Sequence, residues 1–219
     1  MTVVAEPLSA DRPTRERIVA AALRLFAERG YRGTSVGDIE AAAGLSPRSG
    51  ALYKHFSSKE RVLEAALAER ASAVATLDGL LDALPVTDAR TELTLAAHLA
   101  LHELDSERDL IRILMREGEN FPALRDDFNE RLVRRGARIA EQGLRRACER
   151  EGVSGVDVPA VAAVGLSALV GFRLNEILFG EAPSALDEAR FVEAWVDGRI
   201  AHLHALGLSL SPVPEEAES

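Results

Sequence analysis

Arg48, Ser49, Tyr53, Lys54 and His55 fall in one short stretch of the chain. Thr34, Ser35, Ser57 and Ser58 stand where runs of apolar periodicity begin. Those residue types suit a polyanion. Hydroxyls and open N–H groups at a helix start bind phosphate oxygens. An arginine fork matches the edge of a guanine, so Arg48 reads as a base contact. Tyr53 and Lys54 read as phosphate anchors, and Lys59, beside the Ser57-Ser58 start, as a further phosphate contact. Bland readings stand beside these. His55 can cap or pack, and the Tyr53 ring can pack on the first helix while its hydroxyl reaches outward. Phe26, Ile39, Leu52 and Phe56 are core positions.

The elements that must position these residues are helices. Ile18, Ala22, Leu25 and Phe26 recur at helical spacing between Thr14 and Gly30. Ser35 with Asp38 resembles a capping box that opens a second helix, with Val36, Ile39 and Ala43 as its inner face and Gly44 as its stop. Gly44-Leu45-Ser46 is a tight turn, and a third helix is expected over Ser49 to Phe56. A short helix, a glycine turn and a second short helix make a helix-turn-helix. Ser57 or Ser58 caps a fourth helix of roughly 25 residues, ~38 Å at the α-helical rise.

Charge supports that placement. The 219 residues carry a net −9, an unpromising total for a nucleic-acid binder. Yet Arg12 to Arg61 holds ten Lys and Arg against five Asp and Glu, a local +5 that leaves −14 on the remainder. A basic head on an acidic body is the pattern expected when only the head meets phosphate. The first eleven residues read as a disordered arm, 12–60 as the DNA-binding domain, 61–206 as a helical ligand-binding and dimerisation body, and 207–219 as a loose tail.

The remaining composition is all-α: Leu, Ala, Glu and Arg dominate, and no alternating strand pattern occurs. About nine helices are expected, including one over Pro122 to Arg150, an apolar one over Pro159 to Phe179 and a last one over Leu186 to Leu206. One cysteine, Cys148, forms no internal disulfide and suits a reducing cytoplasm. The apolar run Val158 to Phe172 is too short for a bilayer and ends in Arg173, Asn175 and Glu176, so no membrane partner is expected. No phosphate loop, metalloprotease helix or nucleophile elbow is present. The chain therefore reads as a non-enzyme without a cofactor.

The strings RIVAAALRLFAERGYRGTSVGDIEAAAGLS and GALYKHFSSKERVLEAAL resemble the N-terminal domain of TetR/AcrR-type regulators. That resemblance implies a three-helix DNA head, a divergent helical body and a homodimer built mainly from the last two helices. It implies repression of transcription at a double-stranded operator and release by a small molecule. Carried onto this chain, its DNA contacts fall at Thr34, Ser35, Ser46, Gly50, Ala51, Tyr53, Lys54, His55 and Lys59. One departure stands out. Pro47-Arg48-Ser49 makes the run from Gly44 to Leu52-Tyr53 about two residues longer than the family pattern. Either the recognition helix starts earlier or the turn is wider.

In the body, Gly165, Ser167, Ala168 and Gly171 permit close helix approach. Leu169, Phe172, Phe191, Trp195 and Val196 are the expected dimer anchors. Candidate pocket residues are His98, His102, Phe121, Phe172 and Asn175. His98 and His102 stand at i and i+4, a spacing that can bind metal, but no third ligand lies nearby, so no metal site is expected. Arg173, Asn175 and Glu176 either pair across a dimer or face a cavity. The leading reading is a repressor released by an unidentified small effector. A ligand-independent regulator or an activator, and a helical enzyme or carrier, are the alternatives.

Overall fold

The computed structural model describes residues 13–74, 88–182 and 186–209, with side chains throughout except at 67–74. Every regular element among them is helical. In chain order they are α1 (Thr14–Arg29), α2 (Val36–Ala42), a 3-10 turn (Leu52–Lys54), α3 (Lys59–Val74), α4 (Ala89–Ser106), α5 (Arg108–Glu117), α6 (Pro122–Phe128), a π-helical turn (Asn129–Arg134), α7 (Arg135–Glu151), α8 (Val158–Phe179) and α9 (Glu188–Ala205). The chain divides into two compact units. One takes residues up to 75 with 108–126, and the other takes 76–107 with 127 onward.

In the first unit, Ile18, Leu25 and Phe26 of α1, Ile39 of α2, Leu52 of the 3-10 turn and Val62 and Leu63 of α3 are buried. Each such side chain contributes about 1.5–3 kcal/mol of burial. This is the stripe that the periodicity of α1 and α2 predicts. The segment 108–126 joins the same unit. Leu110, Ile111 and Ile113 of α5 are buried, and α5 packs on α1. The Arg116 guanidinium donates to the carbonyls of Ala27 (2.9 Å) and Glu28 (3.0 Å), in the last turn of α1. A cation there meets the negative end of the helix.

The second unit is built on α4, α7, α8 and α9. Ala97, Leu101, Leu169, Phe172, Val192 and Val196 form one buried cluster. Leu144, Cys148, Val158, Val161, Leu203 and Leu208 form another. Asp157 caps α8 by accepting from Ala160 N, and Gly180 ends it in a left-handed conformation. With 22 residues, α8 is long and apolar enough to cross a membrane by length and composition alone. Buried Arg173 marks it instead as a packed helix: its guanidinium meets Asp105, Glu176 and Glu188 of its own unit.

The expected arm at 1–11, most of the tail, and the far end of the predicted fourth helix, with Leu77 and Leu81, lie outside the described residues. The predicted helix over Pro122 to Arg150 is helical throughout, but a π turn interrupts it at Asn129–Arg134.

Candidate nucleic-acid interface

The first unit presents its polar residues on a scaffold that local chemistry sets. Ser35 is the N-cap of α2: its hydroxyl accepts from Asp38 N (3.2 Å), and Asp38 Oδ2 accepts from Ser35 N (2.9 Å) and Ser35 Oγ (2.6 Å). The capping box read from the sequence is present with Asp as the returning acid. The hydrogen bond from the Ser35 hydroxyl, then that from its backbone N–H, holds the Asp38 carboxyl below its usual range.

At its far end α2 closes at Ala43, and Gly44 turns the chain at φ +72°. Gly44 N donates to Ala41 O (3.1 Å) and Leu45 N to Glu40 O (2.8 Å). The connection then runs wide. Ser46, Pro47, Arg48 and Ser49 are exposed. Arg48 adopts φ +59° and Gly50 φ +73°. Two left-handed residues so close together preclude a right-handed helix through this stretch. Of the helix expected over Ser49 to Phe56, only the 3-10 turn Leu52–Lys54 forms. The extra length at Pro47 to Ser49 is taken up as a wider turn.

That turn sorts its side chains cleanly. Leu52 and Phe56 point into the core, while Tyr53, Lys54 and His55 are exposed. Tyr53 is 58 % exposed, so its ring does not pack on α1. Gly50 and Ala51 are half-buried. Arg15, His55, Phe56, Ser57, Arg61, Glu64 and Ala65 line a shallow groove of ≈ 460 Å³ beside it. The Arg15 guanidinium lies 5.1 Å from the Phe56 ring centre. Arg48, Tyr53, Lys54 and His55 thus form one exposed, largely cationic run pinned by two buried anchors. Such a surface can meet a phosphodiester backbone and reach base edges.

Two of the expected contacts are placed elsewhere. Thr34 is 1 % exposed, and its hydroxyl donates to Gly30 O (2.9 Å) and Leu25 O (3.2 Å). Its methyl and hydroxyl are used inside the unit, so it offers nothing to a phosphate. The Lys59 ammonium donates to Tyr31 O (2.7 Å) and Thr34 O (2.9 Å) and sits 4.1 Å from the Tyr31 ring centre. Burial pushes its pKa down, and Glu117 opposes that shift. This lysine ties the loop before α2 to the start of α3.

The structure also brings in a residue the sequence reading passed over. Glu40 is fully buried, and its Oε1 accepts from Leu52 N at 3.0 Å. Its signal was visible: an acid on the inner stripe of Val36, Ile39 and Ala43, where an apolar side chain is expected.

The body candidates have separate local settings. His98 and His102 are exposed, and His98 Nδ1 lies 2.8 Å from Thr94 O. Among the described residues no group of three metal-ligating side chains comes together. Phe121 belongs to the first unit, edge-on to Tyr31 at 4.9 Å. Phe172 is buried and stacked on Phe191 at 4.0 Å. Asn175 Nδ2 donates to Gly171 O, one turn back on α8. Leu169, Phe172 and Val196 are core, Phe191 and Trp195 pack on the same cluster, and Trp195 Nε1 donates to Gly165 O (2.9 Å). Arg173 and Glu176 pair with each other within α8.

Comparison with known proteins bears directly on the head. Residues 18–66 match the family described as "Bacterial regulatory proteins, tetR family". Over that span the chain is similar to tetR-family transcriptional regulators. The matched span holds α1, α2, the wide turn and the start of α3. The HTH-type transcriptional regulator UidR of Escherichia coli K12 is 32% identical over 111 residues, 50% of this chain and 54% of that one. The chain therefore matches about half the length of this relative. Among solved structures, a putative transcriptional regulator from Pseudomonas aeruginosa PAO1 superposes with a TM-score of 0.66 at 24% identity, over 87% of this chain and 92% of that one. FadR from Bacillus subtilis, in complex with stearoyl-CoA, superposes at 0.63 with 18% identity, over 85% and 97%. These two carry the fold alone: an all-helical chain.

Proposed function

We propose that this chain is a homodimeric repressor of the TetR family that reads an operator through residues 46–55 and leaves it when a small molecule binds the body. The observation that carries the DNA-reading half is the exposed run Arg48, Tyr53, Lys54 and His55, pinned by buried Leu52 and Phe56. Ser46 and Ser49 are exposed on the same stretch, and Ser35 sits at the adjoining start of α2.

Dimerisation is supported by a different face of α8 from the one first expected. Ala160, Ala163, Val164, Ser167, Ala168 and Leu178 are exposed at helical spacing. Val164 is 64 % exposed, unusual for a β-branched apolar side chain. On α9, Ala194, Gly198, Ala201 and Ala205 are exposed and small. Small residues allow the close approach of a second copy, and a two-fold axis places two heads on successive major grooves. Release rests on the family resemblance. It requires an effector with differential affinity for two body conformations, acting by population shift.

The test is a gel-shift with the full chain on the DNA upstream of its own coding region, across a series of salt concentrations. Salt-dependent, sequence-preferring binding is expected; no binding at low salt to any fragment would refute the reading. A screen of small molecules for release then separates a ligand-released repressor from a ligand-independent regulator. Long-chain acyl-CoA is a sensible first probe, because FadR, a fold neighbour, holds stearoyl-CoA.

A further inference from the structure

We propose that Glu40 is the positioning residue that sets the register of the DNA-reading turn, a reading that rests on the DNA-binding role above. The turn's own hydrogen bonds are short-range, such as Ser49 N to Ser46 O (3.2 Å) and Tyr53 N to Gly50 O (3.1 Å), and these do not tie it to α2. Three residues of it are left-handed, Gly44, Arg48 and Gly50, and only three residues are 3-10 helical. Glu40 brackets the whole connection from one position. Its main-chain carbonyl takes Leu45 N (2.8 Å) where the connection begins, and its side-chain Oε1 takes Leu52 N (3.0 Å) where it ends. The exposed residues Ser46 to Ser49 and half-buried Gly50 and Ala51 are strung between those two bonds.

The chemistry of the tie singles it out from ordinary packing. The carboxylate is wholly buried, and its second oxygen, Oε2, has no hydrogen-bond partner. A buried acid with one oxygen unsatisfied costs stability against an apolar side chain of the same size. What it supplies in return is direction: a fixed acceptor at a fixed distance from α2, which an apolar residue lacks. Leu52 N–H is the first amide of the 3-10 turn. Fixing it fixes the positions of Tyr53, Lys54 and His55 relative to α2. The same helix also accommodates the other end of the reading run. At Gly37, the position of an added Cβ lies 3.2 Å from Arg48 Cγ, so the Arg48 stem lies against bare α2 backbone. Both ends of the reading run are thereby referenced to α2.

The experiment compares Glu40→Gln and Glu40→Asp in the full chain. Gln keeps an acceptor at the same reach and replaces the acid. Asp keeps the acid and withdraws the acceptor by one methylene. The probe is the duplex that the wild-type chain selects from a randomised DNA pool, measured against a scrambled duplex of equal length at one salt concentration. Glu40→Asp is expected to lower the ratio of specific to non-specific affinity by about tenfold or more, the cost of misplacing a base contact. Its binding to scrambled DNA and its salt dependence should stay as in the wild type, and the Leu52 amide should exchange faster. Glu40→Gln should keep both the ratio and the protection of Leu52. If Asp retains the ratio, or if Gln loses it while Asp does not, the tie is not what positions the turn. If specific and scrambled binding fall together with the melting temperature in both variants, Glu40 is only a structural residue. A wild-type chain that selects no duplex at all refutes the DNA-binding reading instead, and Leu52 exchange in the two variants still judges the tie.

Discussion

Lys59 offers the sharpest test of how the head is built. In the family resemblance it is a DNA contact, but its ammonium donates to Tyr31 O and Thr34 O and covers the Tyr31 ring. Replacing it with Met keeps the stem and removes the charge and donors. Hydrogen bonds to a charged group contribute about 1.5–3 kcal/mol each, and a cation–π contact about 0.5–1 kcal/mol. Lys59 is only partly buried, so solvent takes up part of that loss and the net cost is about 2 kcal/mol. For a chain of this size that lowers the melting temperature by roughly 4–8 °C. The assay pairs thermal melting with the slope of log affinity against log salt. A lysine that touches phosphate contributes about 0.9 to that slope. Lys59→Met is expected to melt earlier with an unchanged slope. Lys54→Met, at an exposed position, is expected to reduce the slope by about 0.9 with little change in melting. The opposite pairing, a reduced slope with unchanged melting for Lys59→Met, would refute the structural assignment.

Further outcomes follow from other contacts. Arg116→Ala removes two donors from the last turn of α1 and is expected to cost about 1–2 kcal/mol, read by thermal or urea melting. If stability is unchanged, the bond between α5 and α1 carries no weight. Asp38 titrates below the ordinary carboxyl range because Ser35 hydrogen-bonds it. Its contribution is therefore full above about pH 4, the unfolded value, and is lost as pH falls through the lowered folded value. Melting curves of Asp38→Asn should be less steeply dependent on pH below about 4 than those of the wild type, and equal slopes would count against the capping box. Val164→Glu places a charge on the exposed face of α8. Sedimentation should then report a single chain with unchanged helicity, whereas an intact dimer would rule this face out as the interface.

How much of this was legible in advance depended on how local the governing interaction is. The all-helical class, α1 with its buried stripe, and the capping box at Ser35 and Asp38 are interactions between residues three or four apart, so spacing alone reveals them. The segregation of positive charge into the head is likewise written in order along the chain. The shape of the reading turn is not. It depends on a left-handed Arg48, which side-chain identity does not announce, and on Glu40 reaching Leu52 twelve residues away. The carbonyl partners of Lys59 are hidden for the same reason, because they lie 28 and 25 residues back. In the body, the apolar positions of α8 were plain, but a helix apolar on several sides carries no periodic signal of direction. Only packing against α4 and α9 decided that Leu169 and Phe172 turn inward and that Val164 turns out.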